Sequence, residues 1–415
     1  MIIFKRTNHT AMNIAKRALA GPALIGLLLW TGLAVKGQPL PGAGTMGKGT
    51  SVLEPGFQAS EYLDMLRIDF AWADSLSYEP GRDSGLMGIP PQGYVRHYRS
   101  PEVGLKNRWS MWYRRDGKEA VISIRGTTAD AASWLANFYA AMVPANGSLQ
   151  LSDSNLFSYR LAADDKAMVH VGWLVSLGFM APTIVQQVHE AYERGIRDFI
   201  ISGHSQGGVI SLLACSYLHY LKESGELPRD IVLKTYSSAG PKPGNLFYAY
   251  DFDFITRNGW GFNVVNSADW VPESPFSIQT LTDFNTANPF VHIDASLKKQ
   301  PWLVRWYLKS KYKKVNKATR RAQRCFKDVL GSLIYKQVKK VLSQLKEPVY
   351  ADGNNYQRAG IPIVLQPDPA YHQKFPEIPG RVFQHHMFEP YYWMVQRYYG
   401  EKTTQPPVLT FLSHP

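Results

Sequence analysis

Cysteine is almost missing from this chain: 415 residues hold only Cys215 and Cys325. Two thiols so far apart build neither the disulfide framework of a small secreted scaffold nor a CxxC metal or redox pair. Cys215 falls in an apolar helical pattern, where a buried free thiol is the expected state. No HExxH motif is present, so the sequence offers no zinc-hydrolase centre, and the expected chemistry needs no metal or cofactor. Internal repeats and heptad arrays are absent too, which excludes solenoids and coiled coils. A full membrane span is also lacking at the N-terminus. The apolar run there, "ALIGLLLWTGLAV", is 13 residues long, against the roughly 20 needed to cross a bilayer. Basic residues precede it and small residues follow around Gly37, so residues 1–37 read as a signal peptide for export. An uncleaved membrane anchor is the alternative.

Acidic residues are scarce at the N-terminus and in one internal segment. From Lys298 to Lys346 there are sixteen Lys or Arg and a single acid, Asp328, so this segment carries +15 of a net +13. The remainder of the chain is therefore slightly negative, and the N-terminal 37 residues add five more basic residues without an acid. A mildly acidic, exported body with one basic appendage argues against a nucleic-acid-binding protein, because an exported protein seldom meets nucleic acid. Residues 38–52, rich in Gly and Pro, read as a linker. Within it "GAGTMGKGT" imitates a phosphate loop. No strand can form in the preceding "KGQPLP", and Gly49 stands where a Ser or Thr would hold magnesium, so no nucleotide site is expected.

The body, expected over residues 53–409, alternates short apolar runs with helical patterns. "EYLDMLRIDF" has helical spacing, and "RWSMWYRRDGKEAVISIRG" reads as a hairpin turning at Asp116-Gly117. A helix is expected to end at Gly195. "DFIIS" is a buried strand that leads into the apolar helix "GGVISLLACSYLHYL", and "IVLKTYS" and "FNVVNS" are further strands. This rhythm predicts an α/β fold with a mainly parallel sheet flanked by helices.

The chemistry concentrates at "DFIISGHSQGGVISLLA". Strand, tight turn and helix follow one another around Gly203-His204-Ser205-Gln206-Gly207, the context a nucleophile elbow requires. Ser205 must take a strained backbone angle to project its hydroxyl, and Gly203 and Gly207 remove side chains that would collide across the turn. The following helix offers its first amides, so the Gln206 N–H can stabilise an oxyanion. Asp269 follows the apolar run "FNVV", where a carboxylate at a strand's C-terminal end reaches a site on that edge. His204 and His170 are expected to be structural. With chain order Ser, Asp, His, the base lies among His292, His372, His385, His386 and His414.

At this point the chain resembles the class 3 lipases, the family of fungal triacylglycerol lipases, diacylglycerol lipases and feruloyl esterases, on the α/β-hydrolase fold. The family's "FRGT/S" resembles "IRGT" here, "VHxGF" resembles "VHVGW", and "GHSLGG" resembles "GHSQGG". Its "FGxPRxGN" resembles "SAGPKPGN", and its "VVxxxDxVPxxP" resembles "VVNSADWVPESP". The resemblance implies a serine hydrolase of carboxylic esters, most directly a glycerolipid lipase, with esterase, phospholipase or feruloyl-type esterase as alternatives. It implies Ser205 as nucleophile, Asp269 as triad acid and Thr127 as an oxyanion residue through its N–H or hydroxyl. The family's late histidine, ahead of a closing helix, matches "FQHHMFEPYYWMVQRYY", which favours His386 as base with His385 as the alternative. A reading of a different class is a non-catalytic membrane-binding protein on the same fold.

Two segments frame that site in sequence. "ADAASWLANFYAAMVP" has the apolar character of a lid, through Trp134, Leu135, Phe138 and Tyr139. The basic segment lies in the 117-residue gap between Asp269 and His386, longer than a compact family member is expected to have. It is read as a helical cap over residues 296–347. An apolar stripe from Phe326 to Leu345 recurs at helical spacing, and Trp302, Leu303, Trp306, Tyr307 and Tyr312 are interleaved with lysines. A cap that packs on the core with solvated lysines is one reading. A cap that also meets an anionic membrane through residues 298–346 is the other.

Overall fold

The computed structural model describes residues 51–72, 87–288, 297–298 and 300–400. The signal, most of the linker with its phosphate-loop imitation, His292, His414 and residues 401–409 lie outside them.

A seven-stranded sheet organises the body, in the order β1-β2-β3-β8-β9-β11-β13. Its antiparallel edge is β1 (Tyr94–Arg99), β2 (Trp109–Arg114) and β3 (Glu119–Ile124), with the β2–β3 hairpin turning through Gly117 at φ +71°. From β3 onward the neighbours run parallel: β8 (Asp198–His204), β9 (Val232–Ser238), β11 (Gly261–Asn266) and β13 (Ile361–Leu365). β3, β8 and β11 are buried along their whole length, which is why they read as continuous apolar runs rather than alternating ones. Helices α3 (Val171–Glu193) and α4 (Gln206–Ser224) pack within the larger apolar cluster. The second cluster joins α1 (Ala59–Asp69) to α9 (Phe388–Tyr399). The sheet is thus covered by apolar side chains from two separate clusters, as an α/β fold requires.

Smaller elements complete the body. β4 (Met142–Pro144), β7 (Met168–His170), β10 (Gly244–Asn245) and β12 (Tyr356–Gln357) form an antiparallel sheet, and β5 (Asn146–Ser152) pairs with β6 (Asn155–Arg160). α2 (Ala131–Phe138), capped by the Asp130 carboxylate, follows the loop after β3, and α5 (Leu246–Ile255) follows β10. At the opposite end of the sheet, buried Asp198 accepts from Ser51 Oγ and from the amides of Val52 and Leu53 at 2.5–3.1 Å. That carboxylate fixes where the body begins.

The basic segment is one continuous helical run with a fault in it. α6 (Trp302–Lys327) passes through a π-helical turn, Asp328–Leu333, into α7 (Ile334–Val341). A π turn takes up an extra residue and shifts the faces beyond it. The stripe expected from Phe326 to Leu345 is therefore split. Val338 and Leu345 are buried, and Ile334 and Leu342 pack against the core, while Val329, Leu333 and Val341 point outward. The cap packed on the core describes α7, and it does not describe the first half of α6, whose apolar residues are exposed. A short helix, α8 (Pro369–Lys374), precedes the final turn into α9.

Candidate active site

Three parallel strands deliver the chemistry to one edge. β8 ends at His204 and turns through Ser205, which sits at φ +61°, ψ −124° before α4 begins. This is the strained angle expected of an elbow serine, and its neighbours explain why only glycine fits around it. A Cβ on Gly203 would lie 2.3 Å from the Gly207 carbonyl carbon, and one on Gly207 would lie 2.0 Å from the Ile124 carbonyl oxygen. The Ser205 amide donates to Ser238 O at 2.9 Å, tying the turn to the end of β9. The first amides of α4 have no intrahelical partner and point at the space beside the serine.

β11 leads into Asp269, which is buried and holds three hydrogen bonds. Its Oδ2 accepts from His386 Nδ1 at 2.6 Å and from Tyr391 Oη at 2.8 Å, and its Oδ1 accepts from the Val271 amide at 3.0 Å. Tyr391 Oη accepts the Asn266 amide in turn, and full burial, with the neighbouring Asp269 carboxylate, holds its phenol far above the ordinary range. His386 and Ser205 line the same cavity. His385, the alternative base, points elsewhere: its Nδ1 meets Tyr371 Oη at 2.7 Å, and it is absent from the cavity wall.

His204 holds His386 from behind. Its Nε2 donates to His386 O at 2.7 Å, and its Nδ1 accepts from Ser238 Oγ, which accepts from Tyr62 Oη. That arrangement needs a neutral imidazole, and burial pushes its pKa well below the usual value. His170, the other structural histidine, stacks on Trp173 with ring centres 3.6 Å apart. Burial lowers it to about 3.

The oxyanion candidates sit on the third strand and the elbow. Thr127 follows β3 and, like Gln206, lines the cavity. Asn137, on α2, links them, and no motif in the sequence marks it. Its Nδ2 donates to Thr127 Oγ1 at 3.0 Å, while its Oδ1 accepts from Gln206 Nε2 at 2.8 Å and Trp173 Nε1 at 3.0 Å. Gln206 Nε2 also donates to Ser133 O. These bonds build α2 into the site. Of the residues expected to form a lid face, Trp134 and Phe138 line the cavity, while Tyr139 is buried in the core.

The cavity has a volume of about 470 Å³ and a wall that is mostly apolar. That lies in the usual range for a small-molecule site. Phe383 and Met387 come from the His386 turn, and Phe276 and Pro275 from the segment after Asp269. Leu330 comes from the π turn of the basic insertion, whose backbone carbonyl accepts from the Ala141 amide. The insertion therefore supplies part of the wall.

The sheet order and the strand–elbow–helix at its C-terminal edge define an α/β-hydrolase fold. Residues 121–279 match the class 3 lipase family, so the resemblance carried by the sequence blocks holds over that stretch. It contains Thr127, Ser205, Gln206 and Asp269, and it ends before the basic insertion and His386. The chain is similar to secreted mono- and diacylglycerol lipase 1 of Fusarium solani, at 29% identity over 177 residues. That alignment takes in 42% of this chain and 45% of the relative, so the chain spans less than half of the relative's length. Among solved structures, the Rhizomucor miehei lipase propeptide complex superposes with a TM-score of 0.38 at 18% identity, over 54% of this chain and 65% of that one. The mono- and diacylglycerol lipase from Aspergillus oryzae gives 0.39 at 16% identity, over 54% and 76%.

Proposed function

We propose that this chain is a serine hydrolase of carboxylic esters, acting on glycerolipids through an acyl-enzyme. The observation that carries it is the 2.6 Å hydrogen bond between His386 Nδ1 and buried Asp269, at the wall of the cavity that Ser205 shares. In this reading Ser205 Oγ attacks the ester carbonyl carbon while His386 Nε2 takes its proton. Asp269, held by three donors, fixes the tautomer and stabilises the imidazolium. The amides of Thr127 and Gln206 receive the oxyanion, each contributing about 3–4 kcal/mol. Collapse of the tetrahedral intermediate expels the alcohol, which takes the proton from His386. Water, deprotonated by the same imidazole, then releases the fatty acid and restores the serine.

The apolar wall favours an acyl chain over a hydroxylated aromatic acid, so a glycerolipid is preferred to a feruloyl ester. Export belongs to the same proposal. It is supported by the make-up of residues 1–37 and by the relative named as secreted. Contact of residues 298–346 with an anionic lipid surface is part of it too. The decisive experiment is Ser205→Ala, which should abolish p-nitrophenyl butyrate hydrolysis. Turnover retained within tenfold would remove Ser205 as nucleophile. A purified wild type inactive on an ester series from acetate to palmitate, in solution and in emulsion, would leave the non-catalytic reading instead.

A further inference from the structure

The first half of α6 is exposed where a cap should be packed. Trp302, Leu303, Val304, Trp306, Tyr307 and Leu308 are each 41–68% exposed, so the first two turns are apolar except at half-buried Arg305. Beyond Leu308 the helix divides. Val304, Leu308, Val315, Ala318 and Ala322 follow one side at helical spacing, interrupted there by Lys311, and Lys309, Lys313, Lys317, Arg320 and Arg324 follow the opposite side. Ten of the 26 residues of α6 are basic and none is acidic. A third strip, with Thr319 and Phe326 half-buried and Gln323 buried, is turned toward the body.

The far end of α6 is fastened at the cavity mouth. Gln323 Nε2 donates to Asp352 O, and Lys327 Nζ meets Asp352 Oδ1 at 2.7 Å. Phe326 stacks on Phe276 with ring centres 6.1 Å apart and planes 4° from parallel, and Phe276 lines the cavity although it is 75% exposed. Phe138 and Trp270 line the same cavity and are also exposed.

We propose that α6 docks the enzyme on an anionic bilayer: Trp302–Leu308 enters the boundary between headgroups and acyl chains, and the Lys/Arg side binds lipid phosphates. The juxtaposition is specific to this chemistry. Aromatic residues grouped at one end favour the membrane interface, and the row of cations beyond them matches a negative headgroup layer. A nucleic acid would use the cations and leave two apolar turns in water. A hydrophobic protein groove would use the apolar turns and make no use of the row of cations on the opposite side. Continuity through Phe326 and Phe276 sets the docked helix beside the cavity mouth. This proposal draws on the lipid-hydrolase reading for its purpose, while binding itself is measured without turnover.

The test is co-sedimentation of the full-length Ser205→Ala protein with vesicles of 1:1 phosphatidylglycerol and phosphatidylcholine, and with phosphatidylcholine alone. The mixed vesicles should bind at least tenfold more tightly, with affinity falling as salt is raised. Replacing Lys313, Lys317 and Arg320 by Gln should weaken binding to the mixed vesicles by on the order of 100-fold. Replacing Trp302, Leu303 and Trp306 by Ser should weaken it at least tenfold. In the Ser205 background both triple variants should keep hydrolysis of water-soluble p-nitrophenyl butyrate within twofold of wild type, which shows that they fold. Undiminished vesicle binding by either variant overturns the proposal, as does equal binding to both lipid mixtures. Tighter binding to a 20-nucleotide oligonucleotide than to the vesicles also overturns it. Vesicle binding by a protein inactive on every ester would keep α6 as a docking helix and remove the hydrolase reading alone.

Discussion

Asn137→Ala is the sharpest perturbation of the site, because one side chain braces both oxyanion candidates. Truncation removes three hydrogen bonds. Gln206 Nε2 keeps the Ser133 carbonyl, so the donor left without its partner is the indole of buried Trp173. Leaving one such donor unsatisfied costs about 1–3 kcal/mol of stability. Catalysis should suffer separately. Complete loss of one oxyanion donor is worth about 3–4 kcal/mol, and a loosened donor loses part of that. A fall in kcat of roughly 10–100-fold corresponds to about 1.4–2.7 kcal/mol of transition-state stabilisation. KM for p-nitrophenyl butyrate should stay within about threefold, since the acyl wall is otherwise intact. The pH profile should keep its shape, because Asn137 touches neither His386 nor Asp269. The assay is steady-state kinetics across pH beside urea unfolding of the same preparation. A folded Asn137→Ala protein with kcat within twofold of wild type would refute the bracing role. So would a loss confined to KM.

Three further outcomes are expected. His386→Ala should lose several orders of magnitude in kcat, whereas His385→Ala, which gives up only its contacts around Tyr371, should stay within about threefold; equal losses would return the base to an open question. Tyr391→Phe removes a donor to Asp269 and the acceptor of the Asn266 amide, so urea unfolding should show a loss of about 1–3 kcal/mol, and an unchanged midpoint would contradict it. Asp69, buried beneath Ser123 and Ser202, is pushed up to about 7 by desolvation. The folded protein therefore keeps a proton that the unfolded chain releases near pH 4, and this contribution to stability is lost as pH rises through about 7. Asp69→Asn should become progressively more stable relative to wild type between pH 5 and 8, and a pH-independent difference would sink the assignment.

The parallel sheet and the elbow were legible because their residues obey local rules. Buried strands need unbroken apolar runs, and the Gly203 and Gly207 positions admit no Cβ. Asp269 was legible from its place after an apolar strand together with the family block, and the order of two adjacent histidines was not. His385 and His386 differ only in which face the final turn presents, and packing around Tyr371 and Tyr391 decides that. Asn137 was invisible for a related reason. It sits among apolar residues on a helix whose spacing suggested a lid, and its partners lie 10, 36 and 69 residues away. The split of the basic insertion was likewise hidden, since helical periodicity carries no mark of the one extra residue in a π turn.

That extra residue sets a phase between two structures that share a single backbone. Removing one residue between Asp328 and Leu333 would restore ordinary α-helical winding and, because the wide turn already absorbs that residue, leave α6 close to its present orientation on α7. A deletion within α6 itself has no such turn to absorb it, and would swing Trp302–Leu308 by about 100° around the helix axis while Leu330 and Val338 kept their places. The outer arm can consequently change its sequence and charge without reshaping the acyl wall, whereas its length is locked. Divergent relatives carrying this insertion would be expected to vary freely in residue type along α6, and to tolerate single-residue insertions or deletions at the turn but not within α6 itself.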